Sequence, residues 1–232
     1  KDMERVPEPE LMEEKEQVIS YDEADFSEGE VNLINQINQY LLKKNISLGE
    51  KDLIVDLGCG PGNISEKLAI KWPNTEVVGI DGSKEMILRA EYNKEISVNK
   101  KKLKNLRYIC SDIKDIKSIN FLLKKKISLL VSNSLIHHIT HLEDFFNTIK
   151  SLSNNTVNFH KDLKRPVDED AALELKLQCS VKYNETLTND YYASLRASYT
   201  LKELKKFTLE SDLSSLDVFE DGHDYLIVYG NV

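Results

Sequence analysis

Leu53-Ile54-Val55-Asp56-Leu57-Gly58-Cys59-Gly60-Pro61-Gly62-Asn63 is a short apolar run that stops at an acid and turns at once into glycine. A run of this length bounded by turn residues is the pattern of a buried strand. Glycines directly after it let the backbone turn tightly, approach a ligand and start a helix over it. Ile64, Leu68 and Trp72 carry that helix, and Pro73 stops it. Outward from this unit the alternation repeats, with strands over 76–80, 106–110 and 127–131 and helices near 84–96 and 142–152. Upstream, Val31, Ile34, Ile37 and Leu41 share one helical face, which predicts a helix over about 29–44. Alternating strands and helices predict an α/β fold whose parallel sheet is covered on both faces.

Toward the end of the chain, Thr200-Leu201-Lys202-Glu203 fits a capping box that opens a helix carrying Leu204 and Phe207. Residues 213–220 and 225–229 flank Asp221-Gly222-His223-Asp224 and read as an antiparallel hairpin. Residues 151–160 lack a Gly-rich turn, so the position of a fifth strand there is left open.

The 232 residues, 41% hydrophobic and 30% charged with 9 Gly and 5 Pro, suit one well-filled core and exclude a disordered, collagen-like or disulfide-scaffold chain. The net charge of −8 hides an asymmetry. Residues 1–30 hold twelve acids against Lys1, Arg5 and Lys15, whereas residues 94–126 hold ten lysines and Arg107 against three acids. These are solvated faces, or the head packs on the middle, or the lysines meet an acidic partner. No apolar stretch reaches the roughly 18 residues of a membrane span. The acidic start lacks a secretory pattern, so a cytoplasmic protein is expected. Cys59, Cys110 and Cys179 are odd in number and form no CxxC pair, and read as core or loop residues.

The glycine loop discriminates between ligands. A dinucleotide site uses free amides to hold a pyrophosphate, but here Pro61 has no N–H, Asn63 stands at the sixth position, and the Asp56 carboxylate would repel the phosphates. That speaks against an NAD-dependent oxidoreductase. A ligand with a cationic or hydrogen-bond-donating end fits better, and S-adenosylmethionine carries a sulfonium and an ammonium group. Asp81 ends the next strand, where a carboxylate can take both ribose hydroxyls. Asp112 follows the third strand and can accept from an adenine amino group with Ile113 and Met86 flanking the ring, or cap a helix.

The glycine loop, Gly79-Ile80-Asp81-Gly82-Ser83-Lys84-Glu85-Met86 and Ser132-Asn133-Ser134-Leu135-Ile136-His137-His138 resemble the class I S-adenosylmethionine-dependent methyltransferases. Glu8-Pro9-Glu10-Leu11-Met12, Ala24-Asp25-Phe26-Ser27-Glu28 and Asp162-Leu163-Lys164-Arg165-Pro166 are similar to a poorly characterised bacterial branch of that family. The resemblance implies a Rossmann-like doubly wound sheet of seven strands, mostly parallel with an antiparallel strand in the C-terminal hairpin. It implies that Gly58, Cys59 and Gly60 lie by backbone against the methionine part of the donor, with Asp56 and Gly82 alongside. Asp81 is implied at the ribose, Asp112, Ile113 and Met86 at the adenine, and Asn133 on the sulfonium side.

Methyl transfer is an in-line displacement at an activated carbon, so the protein mainly aligns the reactants and excludes water. An oxygen or protonated nitrogen acceptor also needs a general base. His137 or His138, just past the fourth strand, is the candidate; alternatively one packs and the other is solvated. Read with His141 they share a helical face, but nothing nearby completes a metal set, so no metal is expected. Tyr21 and Phe26 either fold over the donor or pack on the surface. Tyr191, Tyr192 and Arg196, near Arg165, either line an acceptor pocket or form a ring and its cation neighbour.

The sequence therefore predicts an acidic lid segment over 1–28 and a methyltransferase domain over 29–232 with a helical insertion near 162–199. The acceptor is expected to be a small molecule. An RNA methyltransferase, from the Lys100–Lys104 and Lys124–Lys126 clusters, and a non-catalytic donor-binding partner subunit are the alternatives. Oligomeric state is not legible.

Overall fold

The computed structural model describes residues 1–9 and 11–232; Glu10, part of the acidic head, lies outside the described residues. The strands are β1 Asp52–Leu57, β2 Glu76–Asp81, β3 Leu106–Cys110, β4 Lys126–Asn133, β5 Val157–Leu163, β6 Leu216–Asp221 and β7 Tyr225–Asn231. They form one seven-stranded sheet in the order β3-β2-β1-β4-β5-β7-β6. The first five are parallel, and β7 runs antiparallel to both β5 and β6. Two apolar clusters fill its two faces, one around Phe145 and Phe146 and the other around Leu33, Ile37, Leu68 and Leu103.

The helices are α1 Lys15–Glu23, α2 Ser27–Lys43, α3 Asn63–Lys71, α4 Lys84–Ile96, α5 Asn120–Lys124, α6 Leu142–Leu152, α7 Glu169–Lys182, α8 Glu185–Ala197 and α9 Leu201–Glu210. The Thr200/Glu203 capping box is present at the start of α9. The helix over α1 has no clear apolar stripe, with Val18 as its one buried residue among those described, which is why periodicity did not reveal it.

β5 escaped sequence reading for a similar reason. All seven of its residues are buried, but Asn158, His160, Lys161 and Asp162 interrupt the apolar run expected of an interior parallel strand. Each has a partner: His160 meets the Ser132 hydroxyl at 2.8 Å and Asn158 Oδ1 at 2.9 Å, and Lys161 meets Asp221 at 2.8 Å. The turn before β5 uses Asn155 at φ 53° in place of glycine, a conformation that asparagine tolerates. Asp162 and Leu163 belong to β5, so the inserted helices begin only at Glu169.

The order of strands reverses between β1 and β4, and in such sheets ligands bind beyond the carboxyl ends of the strands at that point. Gly58, Gly60 and Gly62 all have positive φ, at 66°, 53° and 93°. At Gly62 a Cβ would lie 2.9 Å from Tyr108 Cζ and nearer still to its hydroxyl. Gly62→Ala is therefore expected to destabilise the fold by about 3 kcal/mol, backbone strain and overpacking together. Denaturant unfolding with an unchanged midpoint would refute this.

Candidate donor and acceptor site

A cavity of about 1060 Å³ opens beyond the ends of β1, β2 and β4. That is at the upper end of what small-molecule sites occupy, and leaves room for two reactants. Its floor is the glycine loop. Asp81 stitches that loop down: its carboxylate accepts from Gly60 N at 2.9 Å and Ser83 N at 2.8 Å. Burial pushes the Asp81 carboxyl up while these two N–H groups hold it back. A Cβ on Gly60 would meet only the Met86 sulfur, at 3.9 Å, so the loop backbone lies open to a ligand. Of the residues assigned to the donor, Gly58, Gly60, Asp81, Gly82, Met86, Asp112, Ile113 and Asn133 line the cavity.

Two of the implied donor residues take other positions. Asp56 is 1% exposed and is not among the lining residues; it accepts the Ser65 hydroxyl from α3 at 2.7 Å, and burial pushes its carboxyl up to about 7. Cys59 is buried in the core, and its N–H donates to Ile80 O at 3.0 Å, tying the loop to β2. Both hold the loop from behind. Asp112 caps no α-helix: its side chain accepts the neighbouring Ile113 N–H at 2.8 Å.

The acidic head crosses this site. Met3 N donates to Val167 O and Val6 N to Arg196 O. Arg5 reaches the carbonyls of Ala197, His137 and Ile139 and lies 4.1 Å over the Tyr199 ring. Ser83 Oγ donates to Met12 O at 2.6 Å, and Leu11 packs against Gly82, so that Leu11 and Met12 line the cavity. Tyr21 from α1 also lines it, with its ring tilted against Phe26 at a centroid distance of 5.3 Å.

Arg165, Tyr192 and Arg196 do not line the cavity, which corrects their assignment as acceptor residues. Arg165 pairs with Glu203 at 2.8 Å and donates to Met3 O and Ser198 O, where it anchors the head. Tyr192 donates to Glu169 and sits under Arg196, on a side of α8 away from the cavity. Tyr191, one residue earlier, does line it, because successive helical positions lie about 100° apart.

The histidines divide into two kinds. His137 is 3% exposed; its Nδ1 is hydrogen-bonded to Asp162 at 2.6 Å, and its Nε2 lies 3.1 Å from Glu8, close enough to pair charges but without hydrogen-bond alignment. Asp162 also accepts the backbone N–H of His137 at 2.6 Å. Burial lowers the His137 pKa, but the two carboxylates outweigh it, with Asp162 foremost, and hold it at about 9. It is held as a cation at neutral pH, between the Asp162 and Glu8 carboxylates. His138 is the opposite case: burial and the His137 charge pull it below the ordinary histidine value. Its Nδ1 lies 3.1 Å from Pro9 O. A carbonyl can only accept, so Nδ1 carries the proton and the Nε2 lone pair is left to take one.

Glu8, His137 and His138 bring three ligand-type atoms within 4.8 Å of one another. At neutral pH the His137 proton supplies the positive charge between the carboxylates. His141 is exposed beside Glu143, apart from this group. Glu8 and Asp162 are functional neighbours that sequence reading did not single out, although both stood inside stretches that carried the resemblance. The Lys100–Lys104 and Lys124–Lys126 clusters contribute nothing to the cavity lining. Among the described residues no helix is long and apolar enough to cross a membrane.

A fold of this order with a glycine-loop site beyond β1 defines a nucleoside-binding α/β protein. Residues 48–198 match the family described as Methyltransferase domain, and the chain belongs to that family. Among curated relatives, the trans-aconitate 2-methyltransferase of Azoarcus sp. (strain BH72) is 45% identical over 49 residues, 21% of this chain and 19% of that protein. That of Variovorax paradoxus (strain S110) is 39% identical over 72 residues, 31% and 24% of the two chains. These alignments span about a fifth to a quarter of the relatives' length. Among solved structures, the plantazolicin methyltransferase BpumL, in complex with a triazolic desmethylPZN analog and SAH, superposes with a TM-score of 0.69 at 18% identity, covering 94% of this chain and 90% of that one. A Methanococcus maripaludis protein gives 0.67 at 16% identity, covering 97% and 96%.

Proposed function

We propose that the protein transfers a methyl group from S-adenosylmethionine to a small molecule held in the same cavity, under a cover made by the head and the α7–α8 insertion. The observation that carries this reading is the continuity of the cavity: the glycine loop, Asp81 and Asp112 line the same space as residues of α2, α7 and α8. The donor supplies a methyl carbon made electrophilic by its sulfonium. The chain's part is alignment, exclusion of water and proton removal.

Gly60 presents open backbone to the methionine part beside Gly58, whose Cβ side Leu135 fills; Asp81 presents carboxylate oxygens to the ribose, and Ile113 with Met86 flanks the adenine. Leu11, Met12 and Tyr21 cover the site from the head. The cover depends on three anchors: Arg5 on backbone carbonyls, Arg165 on Met3, and Glu8 on His137. His138 is the general base for an acceptor that must lose a proton. His138→Gln is expected to lower kcat by roughly 100-fold or more while the KM for the donor changes little; an unaltered kcat would remove that role.

The reading as a whole is tested with S-adenosylmethionine carrying a deuterated methyl group, incubated with protein and small-molecule extract and followed by mass spectrometry. Labelled small molecules support it. Label appearing only in RNA, with binding that weakens steeply as salt rises, would replace it by the RNA reading. Donor binding without any transfer would replace it by the partner-subunit reading.

A further inference from the structure

Glu8, His137 and His138 stand together where the head passes the end of β4, and both histidines line the cavity. Glu8 Oε1 lies 3.1 Å from His137 Nε2 and 3.5 Å from His138 Nδ1. In a tetrahedral site with metal–ligand bonds of about 2.0–2.1 Å, neighbouring ligand atoms lie about 3.3 Å apart. The two spacings straddle that value, and all three ligand-type atoms fall within 4.8 Å of one another. The sequence pointed to no metal because the carboxylate comes from the head, far from the histidines along the chain.

A second observation points to a ligand. His137 is 3% exposed, and its Nε2, although beside Glu8, has no hydrogen-bond partner among the described residues. A buried polar nitrogen left in this way costs free energy unless something binds it. Its surroundings are those of a metal-ligating histidine. Nδ1, the other ring nitrogen, is held by the Asp162 carboxylate at 2.6 Å, an arrangement that orients such a ring and raises its basicity. Glu8 is steadied in the same manner, accepting the Ser194 hydroxyl at 3.0 Å. Two imidazoles and one carboxylate suit zinc and its transition-metal neighbours, whereas magnesium and calcium prefer oxygen ligands throughout.

We propose that Glu8 Oε1, His137 Nε2 and His138 Nδ1 bind a divalent ion of the zinc class, which pins the head to the sheet. On binding, the Nε2 proton of His137 leaves to solvent. The His138 proton moves from Nδ1 to Nε2, and Nδ1 gives up its 3.1 Å contact with Pro9 O. The ion then cross-links the cover to the body of the fold beside Leu11 and Met12, which line the cavity. With Nε2 protonated, His138 is unable to act as the base described above, so the loaded protein is a closed resting form. That last consequence rests on the methyltransferase reading; the binding of the ion does not.

The test titrates the chelator-treated full chain with zinc chloride by calorimetry and with cobalt chloride by visible absorption. One ion per chain is expected, with a Kd below about 10 μM, and cobalt should show the strong visible bands of a four-coordinate site. Magnesium in large excess should not compete. Glu8→Gln and His138→Ala are each expected to weaken zinc at least about tenfold. His141→Ala, at the exposed histidine outside the group, should leave zinc affinity unaltered. Zinc should also slow proteolysis within residues 1–14 at least about fivefold in wild type and not in Glu8→Gln. Cooperative thermal unfolding of each variant shows that it folds. Absence of zinc binding, affinity that survives both Glu8→Gln and His138→Ala, or equal protection of the head in Glu8→Gln overturns the proposal. Zinc binding that meets these criteria in protein that binds no S-adenosylmethionine supports the site and overturns only the methyltransferase reading.

Discussion

Replacing Asp81 with alanine is expected to weaken S-adenosylmethionine binding at least about a hundredfold, measured by calorimetry on protein whose thermal unfolding stays cooperative. Two losses combine. The carboxylate that would meet the ribose in the proposed reading is removed, and the Gly60 and Ser83 N–H groups that it accepts at 2.9 and 2.8 Å lose their partner. Hydrogen bonds to a charged group contribute about 1.5–3 kcal/mol each, so losing a pair of them accounts for the hundredfold. Asp81→Asn, which keeps one acceptor oxygen, should fall between wild type and alanine. Unchanged affinity in the alanine variant would show that the donor does not use this end of the cavity.

The second large effect concerns the His137 clamp. Removing Asp162 leaves a buried imidazolium without its closest carboxylate, and breaking a buried pair in this way costs about 3–5 kcal/mol. The same clamp makes stability depend on pH. An unfolded histidine titrates near 6.5 and His137 in the fold near 9. Below pH 6.5 both states hold the proton and the stabilisation is fully present. Between 6.5 and 9 the unfolded state gives up its proton first, so stability falls as pH rises, by about 3 kcal/mol over the whole window. Chemical unfolding at a series of pH values should show this decline in wild type and a flatter profile in Asp162→Asn. An equally steep decline in the variant would assign the pH dependence to other groups. Because Glu8 holds the other nitrogen, proteolysis within residues 1–14 is expected to quicken over the same window.

These effects meet at the junction of head and sheet, which neither the acidic composition nor the glycine loop announces. Glu8 is one of twelve acids in the first thirty residues, and nothing local distinguishes it. It matters because Arg5 and Arg165 anchor the segment around it across β5 and α8, a contact between residues more than 120 positions apart. Asp162 was hidden for a different reason. It lies in a strand whose polar residues look like loop until Ser132, Asn158, His137 and Asp221 are seen to satisfy them.

What the amino-acid order determined by itself is local and periodic. The β1–glycine–α3 unit, the successive acids at strand ends, the closing hairpin and the capping box follow from steric rules and hydrophobic spacing within a dozen residues, and from them the α/β class and the donor site. Tertiary structure alone decided which of two adjacent histidines is held as a cation and which is pulled toward its neutral form, since their charges depend on carboxylates brought from residues 8 and 162. It also decided that Tyr191 faces the cavity while Tyr192, Arg196 and Arg165 hold the frame. Burial and electrostatic neighbourhood are properties of packed surfaces, and residues distant in the chain supply them.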